Sequence, residues 1–336
     1  MIRWIGALAT CVVLIGCSGG AQTTESGAVK TPPATPVANG TFKVALLTPG
    51  PISDAGWSAM AYDGLQAIKS DLGAEVNNQE TKDATIESAM RDYAQKGYSL
   101  IIGHGFEYNE PGVKLSKEFP KTVFVSSSGG ATAANAGAFR FTLEEGFYLA
   151  GYLAGKLTKT GKVAVVGLDI PPIRSTFTGF EAGAKAAKPD IKIIEEFLGP
   201  SDDIAKAKQA TLAAIGQGAD FVIHQANQNA QGVFDACKEK TVYAFGANAD
   251  QNANESGIVI ASAVIVARPA FLAIAKQVKD GQYKGQVLRM GMKDKAIDFV
   301  LNPKLKSKVP ADIQKALDDE KQKILSGDVK VPIAEF

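Results

Sequence analysis

The chain has 336 residues, 46% of them apolar, with 36 Lys and Arg against 35 Asp and Glu. Balanced charge excludes the basic footprint of a nucleic-acid binder, while the length suffices for two domains of ordinary size. The three cysteines are Cys11, Cys17 and Cys237, too few for a disulfide scaffold or a cysteine-cluster metal site.

In chain order, the first element is a leader. Residues 1–16 carry one cation, Arg3, followed by an apolar run that is too short to span a membrane. The ending Leu14-Ile15-Gly16-Cys17 resembles the lipobox of bacterial lipoproteins, which implies that Cys17 becomes the lipid-modified mature N-terminus. An ordinary signal peptide cut near Ala21 is the alternative. Residues 17–40 are Gly, Ser, Thr, Pro and Ala with hardly a large apolar side chain, so they are expected to form a flexible tether. The body beyond is expected to be soluble and held at a membrane surface outside the cytoplasm.

From Thr41 onward, short apolar runs alternate with amphipathic stretches. Strands are predicted at 42–48, 74–80, 99–103, 121–126, 162–167, 191–197, 220–225, 241–246 and 257–263. Helical patterns lie near 57–71, 84–96, 109–119, 143–158, 175–187, 203–216, 228–239 and 268–280. This alternation predicts an α/β fold with parallel sheets covered on both faces. The C-terminal "ADIQKALDDEKQKILSG" is a charged amphipathic helix, expected to present a solvated face.

The pattern is written twice. "KVALL" from Lys43 and "KVAVV" from Lys162 each reach a glycine 21 residues on, Gly64 and Gly183. "GYSLIIGHGF" from Gly97 aligns with "GADFVIHQAN" from Gly218, and "KTVFV" from Lys121 with "KTVYA" from Lys240. Two similar doubly wound lobes are therefore expected. The predicted division is 41–128 with 258–282 for lobe 1 and 142–246 with 290–336 for lobe 2. Crossovers are expected near 128–142, 246–258 and 281–290.

Ligands of open parallel sheets bind beyond the carboxyl ends of the strands, so two facing lobes would line a cleft with loops. The candidates from lobe 1 are Asp54, Trp57, Gly105, Phe106 and Ser127; those from lobe 2 are Arg174, Gln225, Asn227, Asn248 and Asp250. A tryptophan on a Gly- and Pro-rich loop suits ring stacking, and amides and carboxylates suit hydroxyls and ring nitrogens. Each has a plainer reading. Trp57 could anchor the first helix, Asp54 could cap it, Phe106 could pack inward, Arg174 could face solvent and Asp250 could serve a turn. His224, inside "DFVIH", reads as a core histidine.

Reactive constellations are missing from the sequence: no nucleophile elbow, phosphate loop, dinucleotide fingerprint or His-based metal spacing is present. "SSSGG" at 126–130 is the nearest approach to a phosphate cradle, but no helix-opening pattern follows it. No catalysis and no cofactor are expected.

Several segments together resemble the basic membrane protein family, lipoprotein receptors of bacterial ABC importers related to purine nucleoside receptor A. They are "DAGWSAMAYDGL", "RDYAQKGYSLIIGHGF", "EEGFYLAGYLAGKLTKTGKVAVVGLDIPPI", "FTGFEAGAKAAKP", "QGADFVIHQANQNAQGVFDA" and "NADQN". The resemblance runs from about Phe42 to about Gly285. It implies a periplasmic-binding type I fold with three hinge crossovers, a ligand held between the lobes, and delivery to a membrane permease by a monomer without chemistry of its own. Asp54, Trp57, Gly105, Phe106 and Asp250 match the family's pocket positions. Ser58 stands where asparagine is frequent, "HQANQNAQG" replaces a glycine-rich turn, and Ile265 stands where nucleoside receptors often carry lysine. The implied cargo is nucleoside-like; a sugar, or an adhesin or signalling role with a secondary cleft, is the alternative.

Overall fold

The computed structural model describes residues 40–54, 56–199 and 203–335. The leader, Cys17 and the tether as far as 39 lie outside the described residues.

The first half runs Lys43–Thr48 (β1), Trp57–Leu72 (α1), Glu75–Glu80 (β2), Ile86–Gln95 (α2), Leu100–Gly103 (β3), Asn109–Ser116 (α3), Val123–Ser126 (β4) and Ala136–Phe141 (β5). After Glu144–Leu157 (α4) the alternation begins again. It continues Lys162–Leu168 (β6), Pro171–Ala187 (α5), Lys192–Leu198 (β7), Ile204–Gly216 (α6), Phe221–Gln225 (β8), Ala230–Lys240 (α7), Tyr243–Asn248 (β9) and Val259–Ile265 (β10). The chain closes with Ala267–Lys279 (α8), Val287–Met290 (β11), Ile297–Leu301 (β12) and Ala311–Ser326 (α9).

Two six-stranded sheets result, ordered β11-β5-β4-β3-β1-β2 and β12-β10-β9-β8-β6-β7. Advancing the first five strands by five turns one order into the other, so the repeat seen in the sequence is a repeat of topology. One pairing differs: β11 runs parallel to β5, whereas β12 runs antiparallel to β10. The central strands are apolar on both faces and fully buried, as sheets covered by helices require. The edge strand β2, "EVNNQE", alternates half-buried and exposed positions.

The repeated glycines have matching tasks. Gly97 and Gly218 adopt φ of 77° and 104°, the left-handed turn that ends the helix before a strand. Gly64 and Gly183 let helices approach closely. A Cβ on Gly64 would sit 2.6 Å from the Phe271 ring on α8, and one on Gly183 only 1.9 Å from the Tyr148 carbonyl oxygen on α4. A ring can turn aside; a helix backbone cannot. Gly183→Ala is expected to destabilise the fold by about 2–3 kcal/mol, as overpacking does, and Gly64→Ala by less. Equal midpoints for the two variants in urea unfolding would refute this difference.

The crossovers fall elsewhere than predicted. β10 pairs in register with β9, Ala261 to Val264 against Phe245 to Asn248, so it belongs to the second sheet and not to lobe 1. Only α8 of the 258–282 segment returns to the first lobe, where it packs on α1. The chain therefore passes between sheets at 141–144, 265–267 and 290–297, and 246–258 is a loop within lobe 2. The joining segments read at 128–142 and 281–290 contain β5 and β11, both members of the first sheet.

The last helix is not merely a solvated face. Leu317 and Ile324 of α9 are buried, and the Tyr148 hydroxyl of α4 donates to Glu320 at 2.8 Å. The segment after it forms a strap. The Ala334 carbonyl accepts from Arg140 on β5, its N–H donates to Ser175 Oγ on α5, and Glu335 pairs with Arg289 on β11.

Candidate functional site

A cavity of about 620 Å³ opens between the carboxyl ends of the two sheets, within the range of small-molecule sites. Each of the first ten strands brings an end or a following loop to it. Pro49, Asp83, Gly105 with Phe106 and Glu107, Ser127 with Ser128, and Arg140 follow or end β1 to β5. Leu168 with Asp169, Leu198, Gln225, Asn248 and Ile265 do so for β6 to β10. The parallel topology alone accounts for this convergence, since these ten strands run parallel within their sheets.

Trp57 opens α1 and lies half-buried at the cleft. One face of its indole stacks on His104, with ring centroids 3.9 Å apart and planes at 23°. Two hydrogen bonds lock the pair. The indole Nε1–H donates to the His104 carbonyl at 3.2 Å, and His104 Nε2–H donates back to the Trp57 carbonyl at 2.9 Å. Because a carbonyl can only accept, His104 carries its proton on Nε2. Phe106, two residues along, is 37% exposed, one of the few large apolar side chains so open among the described residues.

Opposite, Gln225 and Asn248 join their amides reciprocally at 3.1 and 3.4 Å, across the ends of β8 and β9. Asn227 and Asn248 hold positive φ, 48° and 68°, a conformation asparagine tolerates better than most residues. Ser127 is buried, and its hydroxyl has no hydrogen-bond partner among the described residues.

Three sequence candidates do not line the cavity, and each is engaged elsewhere. Asp54 accepts from the N–H groups of Gly56, Ser58 and Ala59 at 2.8–2.9 Å, so its carboxylate serves the first turn of α1 from just ahead of the N-cap Gly56. Arg174 pairs with Asp169 at 2.6 Å and lies over the Phe197 ring on the outer side of α5. Asp250 is exposed and accepts from the Asn252 N–H in a turn. Ser126 of the "SSSGG" stretch spends its hydroxyl on the Ser128 carbonyl.

The family described as ABC transporter substrate-binding protein, PnrA-like, matches residues 41–335. The chain belongs to this family. It is 26% identical to basic membrane protein A2 of Borrelia garinii subsp. bavariensis, over 96% of this chain and 93% of that one. It is 28% identical to the ABC transporter nucleoside-binding protein BmpA of Lactococcus lactis subsp. cremoris, over 97% and 96%. A solute-binding protein of Aeropyrum pernix K1 superposes with a TM-score of 0.77 at 22% identity, covering 87% of this chain and 94% of that one, which establishes the shared fold. The two-sheet architecture is thus that of periplasmic-binding type I receptors.

This PnrA-like cleft also contains charged groups that the sequence reading passed over. Arg140 and Glu144 form an ion pair of 3.0 Å with both side chains almost wholly buried, at the first crossover. Ser175 Oγ donates to the same carboxylate. The signal in the sequence was a lone arginine between Phe139 and Phe141 with a glutamate four residues on. Glu107 follows Phe106, and its carboxylate folds back over Gly105, where a Cβ would fall 2.3 Å from Oε2. Burial, aided by the nearby charge of Asp83, pushes its pKa up to about 7.

Two histidines set the acid response of this PnrA-like protein. Burial pushes His104 down to about 3 and His224 to about 4. His224 Nε2–H donates to Gln251 at 2.9 Å, and its ring meets Phe234 edge-on, so it is a core residue as expected. The unfolded chain takes up both protons near pH 6.5 and the native state does not. Stability therefore falls as pH drops below 6.5, by up to about 1.4 kcal/mol per unit for each histidine. Glu107 has the opposite sign, because a raised pKa makes the native form bind the extra proton between pH 4.5 and 7. The net slope between pH 6 and 5 is expected to be shallower than the two histidines alone would give, since Glu107 and the half-buried Glu145 are both shifted up, and Glu107→Gln should steepen it. Urea titrations across this range that gave a flat midpoint would contradict the buried neutral histidines.

Proposed function

We propose that the protein is the ligand-capturing lipoprotein of a bacterial ABC importer, taking a nucleoside or a similar ring-bearing polar molecule. Lipid on Cys17 would hold it at the membrane, with the body extracytoplasmic, working as a monomer that hands its cargo to a permease. The observation that carries the reading is the half-sandwich at Trp57: one indole face rests on His104 while the ring lines the cleft. A flat heterocycle completes such a stack. Phe106 supplies further apolar surface, and the Gln225–Asn248 pair and Asn227 offer donors and acceptors to a sugar's hydroxyls. The relative from Lactococcus lactis named as nucleoside-binding supports the same cargo class.

Capture follows from the hinge. A ligand touching both lobes favours the closed form only through its greater affinity for that form. The test is a thermal-shift screen of the full chain with nucleosides, nucleobases, sugars and small aromatic acids. A ligand at a hundred times its dissociation constant stabilises by about 2.7 kcal/mol. Stabilisation by nucleosides is expected. A response to sugars alone would keep the receptor and replace the cargo; no response to the whole panel would overturn the reading.

A further inference from the structure

Two polar groups in the cleft are left over once the packing of the fold has been accounted for. The Glu107 carboxylate is half-buried, and among the described residues no Lys or Arg pairs with it. Ser127 is 1% exposed, and its hydroxyl has no hydrogen-bond partner among the described residues. Both line the cavity. They sit on the loops that follow the neighbouring strands β3 and β4, and the Ser127 N–H donates to the Gly103 carbonyl at 3.0 Å, close to where the Glu107 loop begins.

Their chemistry is complementary to one kind of edge. An ionised carboxylate only accepts, through two oxygens, and matches a pair of adjacent N–H donors. A serine hydroxyl can donate to a carbonyl beside them. The His104 carbonyl that fixes the Trp57 indole lies in the same turn as Gly105, over which the carboxylate is folded. A ring held in this cavity with Trp57 therefore has this acceptor and this donor in the same wall.

We infer that Glu107 and Ser127 are the residues that read the base edge, and that they select a 2-amino-6-oxopurine, the guanine pattern of one carbonyl next to two N–H donors. This rests on the nucleoside reading of the cleft. Adenine presents a donor beside an acceptor, so its ring nitrogen would face the carboxylate lone pairs. Hypoxanthine keeps the carbonyl and one N–H and falls between the two. Gly105 is part of the device, because any side chain there would displace the carboxylate from its resting place.

The experiment is calorimetric titration of the full chain, in detergent at pH 8, with guanosine, inosine and adenosine. Wild type is expected to bind guanosine at least tenfold more tightly than adenosine, with inosine between. Glu107→Gln, nearly isosteric, should lose at least tenfold in guanosine affinity while adenosine affinity is kept or rises, because the amide N–H can meet the ring nitrogen that the carboxylate repels. Ser127→Ala should weaken guanosine and inosine alike. Circular dichroism and the melting point of each variant separate lost recognition from lost fold, and Glu107→Asp serves as a second variant if the first is unstable. Equal guanosine binding by wild type and Glu107→Gln, or an adenosine preference in wild type, would overturn this inference and leave the nucleoside reading standing. Absence of binding by all three nucleosides to wild type would overturn both.

Discussion

Replacing Trp57 by alanine is expected to weaken ligand binding at least a hundredfold, about 2.7 kcal/mol, while the two-sheet fold persists. The indole gives one face to His104, and that stack with its two reciprocal hydrogen bonds fixes the ring's angle before any ligand arrives. Binding to a ring already held loses little side-chain entropy. Removal also exposes His104, so a stability loss of about 2–3 kcal/mol is expected, below that of a fully buried tryptophan. Trp57→Phe should keep most of the affinity, since the face survives and only the Nε1 donor is lost. The measurement is titration of each variant with the best nucleoside of the screen. If Trp57→Ala bound as tightly as wild type, the open face of the indole would have no role in recognition.

The largest stability effect is expected at Arg140. Its guanidinium meets Glu144 where the chain first passes between the sheets, and both side chains are nearly inaccessible to water. Arg140→Met leaves the carboxylate buried without that compensation, which costs about 3–5 kcal/mol. Removing both charges removes the imbalance, so Arg140→Met combined with Glu144→Gln should recover more than half of the loss. Burial pulls the Arg140 pKa down, and Glu144 opposes that pull. Denaturant unfolding of the single and double variants decides the matter. A single variant within 1 kcal/mol of wild type would show that water reaches this pair.

Much of the fold was legible because parallel α/β order writes itself as alternating periods, and because the second lobe repeats the first down to Gly97 and Gly218. Strand partners were less legible. "VIASAVI" reads clearly as a strand, yet nothing in its own residues says which sheet it joins; its register against β9 decides that. β11 and β12 are four and five residues long and carry Arg289 and Asp298, too short and mixed for a periodic signal. At the site, Trp57, Gly105, Phe106, Ser127, Gln225, Asn227 and Asn248 line the cavity because strand ends and large side chains on loops are visible in a sequence. Asp54 and Asp250 lie off the cavity wall because a short acidic side chain near a helix start or turn serves the backbone first. Arg140 was hidden for the opposite reason, a charge inside an apolar run that only a buried partner explains.

The strap at the end of the chain has a practical bearing on how the protein is handled. Residues 334 and 335 reach Arg140 and Arg289 on one sheet and Ser175 on a helix of the other lobe. A purification tag fused after Phe336, or trimming by a carboxypeptidase, would therefore act on contacts that tie the two sheets together. Ligand affinities measured on such material would report the tag as well as the receptor.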